Sequence, residues 1–225
     1  MNFKFDKEKL TFDLNKKLII IGCGGHSKVV SDIAVALGFQ NIIYLDKDKK
    51  RDLFLGKKIY HKISENFQDY FFVAIGDNFI REQLYNDFQK KNKSAESINL
   101  IHPSSFISSN TSIGFGNVIM PLCVINSNTK IKNGTIINSK SSVDHDNNIM
   151  SFASLAPGVI TGGNVSIGER SAICIGSVIK NDIRIESDVV VGASSMVNKN
   201  LGKNIVVFGT PAKFVRTRAK GDKYL

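Results

Sequence analysis

From Ile107 to Val197 the chain repeats itself every six residues. Sampling every sixth position gives Ile107, Ile113, Ile119, Ile125, Ile131, Ile137, Val143, Ile149, Leu155, Thr161, Ile167, Ile173, Ile179, Ile185, Val191 and Val197, fifteen of sixteen of them aliphatic. Four residues after the aliphatic stand small or β-branched side chains, among them Thr111, Cys123, Thr129, Thr135, Ser141, Ala153, Val159, Val165, Ser171, Ser177 and Ser195. Both sets are expected to face inward. Three residues after the aliphatic come Asn110, Gly116, Asn128, Gly134, Asp146, Gly158, Asn164, Gly176, Asp182, Asp188 and Asn200, the residue types that tolerate positive φ. The chain therefore turns a corner once per hexad. Three hexads close one triangular coil, and the whole run gives roughly five coils of a parallel β-helix. Each stacked aliphatic, fully buried, contributes roughly 1.5 to 3 kcal/mol, so the prism is expected to be stiff.

Ahead of the repeat the period is different. The stretch LIIIGCGGHSKVVSDIAVALGFQNIIYLD from Leu18 joins an apolar run, a glycine cluster, an amphipathic segment and a second apolar run, a β-α-β pattern. FFVAIGDN repeats the theme and is followed by a helix expected over about 79–91 and a short strand, SINLI, from Ser97. The expected organisation is a polar arm over 1–16, a Rossmann-like α/β unit over 17–102, a β-helix over 103–202 and a short basic tail over 203–225.

The formal charge of +10 is spread over the chain, denser only in the tail at Lys213, Arg216, Arg218, Lys220 and Lys223. Without zinc-finger spacing, an RNP-like motif or a long basic amphipathic helix, it points to phosphate-bearing small ligands and not to nucleic acid. No apolar run reaches 18 residues and the N-terminus lacks a secretory core, so a soluble, cytoplasmic protein without a membrane partner is expected. Cys23, Cys123 and Cys174 are odd in number and far apart, as expected of reduced packing residues.

One corner carries a histidine. In SSVDHDNNI, Val143 points inward, and His145 and Asp146 fall on the turn, where a side chain leaves the prism edge. The adjoining carboxylate can hold one imidazole nitrogen and leave the other to take a proton. Among His26, His61, His102 and His145, only the last lies in the repeat, so a three-histidine metal site on the prism is not expected.

The hexads resemble those of left-handed β-helix acyltransferases. IIIGCGGHSKVVSDIA, AIGDN with Arg81, SSVDHDNNI, APGVITGGNVSIG and FGTPAKFV, in that order, are similar to the bacterial sugar acetyltransferases of the sialic-acid and bacillosamine pathways, over about residues 17–218. The resemblance implies acetyl-CoA-dependent transfer to the 4-amino group of a nucleotide-linked amino sugar, in a homotrimer with sites between prisms and no metal. It implies His145 as general base with Asp146 as orienter. Ser154 stands where relatives commonly carry a second histidine. By the same resemblance Ser154, Gly163, Ile175, Gly176, Ala193, Pro211 and Lys213 line the acetyl-CoA groove. Gly24, His26, Asp46, Lys47, Gly76 and Asn78 contact the nucleotide or sugar, the glycine cluster by offering free N–H groups at a helix start. The alternatives are O-acetylation of a sugar of the sialic acid type, and a non-catalytic binding or assembly protein on the same prism.

Overall fold

The computed structural model describes residues 11–48, 50–63 and 66–224. Its N-terminal unit is a six-stranded sheet built from β1 (Leu18–Ile21), β2 (Ile42–Leu45), β3 (Leu53–Phe54), β4 (Lys57–Tyr60), β5 (Tyr70–Val73) and β6 (Glu96–Ser97), in the order β3-β4-β2-β1-β5-β6. All neighbours are parallel except the β3–β4 hairpin. Helix α1 (Gly25–Ala36) packs Val30 and Ile33 on one side of the sheet, and α2 (Asn78–Lys91) packs Phe88 on the other. Strand order reverses at β1, which opens a crevice at the C-terminal ends of β1, β2 and β5. Of the expected polar arm, residues 1–10 lie outside the described residues, while Phe12 packs against Phe39 (tilted) and Tyr70 (edge-on) with ring centroids 5.0 and 6.0 Å away.

The hexads form a three-sided parallel β-helix. Each side is a ladder of two-residue strands paired eighteen residues apart, as Val118 with Ile136 and Ile136 with Ser154. The aliphatic register is buried from Ile119 onward, with Ile107 and Ile113 partly buried at its start, and the small register four residues later is buried throughout. The expected strand from Ser97 is in fact two: Glu96–Ser97 pairs with β5, whereas Leu100–Ile101 pairs with Val118–Ile119 and is already part of the β-helix.

The outward residues give the three faces different fates. On the first, Leu100, Val118 and Ile136 are buried under α1 and the N-terminal sheet, and Ala172 and Val190 pack with Val206 of a C-terminal antiparallel hairpin, Ile205–Phe208 with Lys213–Thr217. We call this the covered face. On the second, the apolar face, Phe106, Val124, Ile160 and Val178 are exposed at 60%, 37%, 48% and 42%. The third shows Ser112, Lys130, Asn148, Ser166 and Arg184 and is polar.

One side chain locks the N-terminal unit to the prism. Arg81, fully buried, donates from Nε to Gly134 O (2.7 Å), from Nη1 to Ile75 O and Gly76 O (3.0 Å each), and from Nη2 to Asn78 Oδ1 (2.7 Å) and Phe152 O (2.9 Å). Burial pushes its pKa down to about 10, so the cation persists at neutral pH, solvated by carbonyl oxygens of both units.

Candidate active site

His145 owes its position to its corner, where Asp144 to Asn147 carry the chain from the apolar to the polar face. Asp146 makes the turn at φ 60°. Two buried residues hold the corner from inside. Asn147 Nδ2 donates to Asp144 O (2.6 Å) and Gly162 O (3.0 Å), and its Oδ1 accepts from Val165 N (2.8 Å). Thr161, the one non-aliphatic member of the hexad register, accepts from Asp144 N at 3.2 Å. The break in the repeat thus lies inside the corner that carries the histidine, bonded to Asp144 and Asn147 on either side of it.

The imidazole itself is 58% exposed, with Nδ1 2.7 Å from Asp146 Oδ2. Asp146 Oδ1 in turn accepts from Asn128 Nδ2 at 2.5 Å, one coil away. Asp144 Oδ1 accepts from Asn126 Nδ2 (3.0 Å) and from the His145 N–H (2.8 Å). A carboxylate on Nδ1 selects the Nδ1–H tautomer and leaves Nε2 as the free base. The bond to Asp146, and then the charge of Asp144, raise the His145 pKa above its ordinary value. Asn128 and His145 hold the Asp146 carboxyl below the usual range. Gly163 lies against the ring: a Cβ there would sit 2.6 Å from both Nε2 and Cε1.

A second feature lies on a different edge of the prism, between the covered and apolar faces. A cavity of about 340 Å³ is lined by His26 and Gly76 of the N-terminal unit, by Asn138, Ser154, Pro157, Cys174, Ile175 and Ala193 of the β-helix, and by Tyr224. His26 Nε2 is buried without a protein partner, and burial, with Arg81 beside it, pushes the His26 pKa down to about 4. The ring is neutral near pH 7. A second hollow, a slot of about 280 Å³ at the sheet crevice, is bounded by Gly22, Asp46, Lys47, His61, Lys62 and Lys91 over an apolar floor that includes Leu45, Ile75 and Phe88. Gly22 turns there at φ 107°, and a Cβ would lie 2.7 Å from Ile75 Cδ1.

These hollows divide the expected site residues. Ser154, Ile175 and Ala193 share the edge cavity with His26 and Gly76. Gly176 follows Ile175 at the corner with φ 66°. Exposed Pro211 and Lys213 continue the same edge, where Thr210 Oγ1 donates to Ser194 O and Ala212 N to Met196 O. Gly163 does not join them; it belongs to the His145 corner. Asp46 and Lys47 border the slot, and the Asp46 carboxylate accepts from Cys23 N (2.9 Å), which ties down the glycine loop. Gly24 is the exposed N-cap of α1. Asn78 departs from expectation. It is buried, with Nδ2 donating to Ser154 Oγ, Arg170 O and Ser171 O and Oδ1 accepting from Arg81, so its side chain is a strut between the units and not a ligand contact. Tyr224, His61 and Lys62 add themselves to the linings. No pattern in the sequence marks them, because each reaches its hollow through the fold.

Known proteins share this architecture. Residues 17–88 match the family of PglD N-terminal domains. GDP-perosamine N-acetyltransferase of Escherichia coli is 31% identical over 151 residues, 63% of this chain and 67% of the relative. A histidine-to-alanine variant of the Caulobacter crescentus GDP-perosamine N-acetyltransferase, solved with CoA and GDP-perosamine, superposes with a TM-score of 0.81 at 30% identity, covering 89% of this chain and 97% of that one. The acetyltransferase domain of PglB from Neisseria gonorrhoeae, solved with acetyl coenzyme A, gives 0.82 at 32% identity over 89% of this chain and 99% of that one. The chain belongs to the left-handed β-helix nucleotide-sugar N-acetyltransferases, and it is an acetyltransferase.

Proposed function

We propose that the protein transfers an acetyl group from acetyl-CoA to the 4-amino group of a nucleotide-linked amino-deoxy sugar, with His145 as general base. The observation that carries this reading is the pairing of Nδ1 with Asp146 on an exposed corner, which leaves Nε2 free to accept a proton. The relatives that bind CoA and GDP-perosamine support the substrate class. In the step itself the amine nitrogen adds to the thioester carbonyl carbon while Nε2 takes its proton. A backbone N–H of the coil stabilises the oxyanion. The C–S bond then breaks, and the imidazolium returns the proton to the sulfur as CoA leaves as the free thiol.

Within one chain His145 and the edge cavity flank the apolar face on opposite edges. We infer a homotrimer in which that face is covered and His145 of one copy meets the cavity of the next. Acetyl-CoA then runs along Pro157, Ile175, Ala193 and Pro211, with Lys213 near its adenine end, and the nucleotide occupies the slot at Asp46 and Lys47.

The test is thiol release from acetyl-CoA over UDP-, dTDP- and GDP-linked 4-amino-6-deoxy sugars, with hydroxyl-only sugars as controls. His145→Ala is expected to lose about 10² to 10⁴-fold in kcat/KM with its fold intact, and sedimentation of the wild type should give a trimer. Full activity of the variant, or turnover confined to hydroxyl acceptors, would reject the reading.

A further inference from the structure

The C-terminal tail reads as a solvated basic extension, yet its end is built into the cavity. Arg218 is buried: Nη1 donates to Asp188 O (3.2 Å), Nη2 to Asp222 O, and the guanidinium lies 5.5 Å from the Tyr224 ring centroid. Asp222 Oδ2 accepts from Ala219 N at 2.9 Å. Gly221 turns at φ 86° where a Cβ would lie 3.0 Å from Phe79 Cε1. These contacts fold residues 218–224 back over the start of α2 as a strap. At its end the Tyr224 ring packs against the cluster of Ala172, Val190 and Val206. Its hydroxyl accepts from Asn78 N (3.0 Å) and donates to Gly76 O (3.4 Å), and Ser154 lines the same cavity.

The ring therefore lines the cavity together with His26, whose buried Nε2 has no protein partner. Pro157, Ile175 and Ala193 line the β-helix side of the same cavity. We propose that Tyr224 is a positioning residue for the acceptor sugar, its ring edge bearing on the apolar part of a deoxyhexose and its hydroxyl fixing the wall that sets where the amine points. This inference rests on the functional reading above. It goes further in making the C-terminal strap part of the acceptor site.

The experiment compares wild type, Tyr224→Phe and Tyr224→Ala in the thiol-release assay, using the amino sugar of that panel which the wild type turns over fastest. Thermal melts report folding, and hydrogen exchange of residues 218–224 is followed with and without that sugar. Tyr224→Ala should raise KM for the sugar about tenfold or more, with KM for acetyl-CoA within about twofold. Tyr224→Phe, which keeps the ring packing, should show a smaller rise in the same constant and carries the test if the alanine variant does not fold. The sugar should slow exchange in the strap. Unchanged KM for the sugar in a folded variant, a lower one (a strap that merely obstructs the cavity), or a rise confined to acetyl-CoA would each overturn the proposal. A wild type inactive on every amino sugar would instead overturn the functional reading, and the strap's assigned ligand with it.

Discussion

Gly163→Ala separates two roles that one glycine could have. On sequence resemblance Gly163 lines the acetyl-CoA groove, whereas in the structure it is the floor under the His145 ring. A Cβ added there would stand 2.6 Å from Nε2 and Cε1 and 3.1 Å from Nδ1. Ordinary carbon contact begins near 3.5 Å, so the ring must withdraw by about 1 Å. The 2.7 Å bond from Nδ1 to Asp146 cannot survive a shift of that size without rotation of both side chains. Because the ring is more than half exposed, it can swing outward. Stability should therefore change by about 1 kcal/mol at most, the lost glycine entropy of the unfolded chain offsetting part of the strain. Catalysis should suffer far more, since a displacement of about 1 Å in a reacting group can lower the rate about 10²-fold. Steady-state thiol release is expected to show kcat reduced by that order with KM for acetyl-CoA unchanged. An unaltered kcat with a raised KM for acetyl-CoA would refute the argument and return Gly163 to the donor groove.

The pH profile tests the Asp146 contact. Because Asp146, and then Asp144, raise the pKa of His145, the basic imidazole forms only above the ordinary histidine value, and kcat should climb with pH through a midpoint above about 6.5. Asp146→Asn removes the charge and keeps an acceptor for Nδ1–H, so the acid limb should move to lower pH; a limb that stays in place would assign the titration to another group. Arg81→Met tests the lock between the units. It leaves the carbonyls of Gly134, Ile75, Gly76 and Phe152 without their buried donor and should lower stability by about 3 kcal/mol or more, read from the urea midpoint. A loss below about 1 kcal/mol would mean that these groups find other partners.

What the sequence makes legible follows from distance along the chain. The hexad register is local, and so is the corner it creates, which is why the residue order alone places His145 and Asp146 at an exposed edge. The same register also overrides local preference. Leu122, Lys140, Phe152, Arg170 and Ser194 stand three residues after an aliphatic and take φ between 55° and 61°, although left-handed backbone disfavours such residues by about 1 to 2 kcal/mol each. Composition alone marks only the corners with Gly, Asn or Asp, and stacking of the coils imposes the rest. The edge cavity is illegible for the opposite reason. It brings together His26, Gly76, Ser154 and Tyr224, whose pairings, such as Asn78 with Tyr224, span 146 residues and depend on how Arg81 seats one unit on the other. Asn78 belongs to the same case: the resemblance implies a ligand contact, and only docking on the prism shows its side chain bonded across the units to Ser154, Arg170 and Ser171. A side chain fixed by a repeat is readable from the repeat, whereas the edge cavity is defined by inter-unit contacts that carry no period.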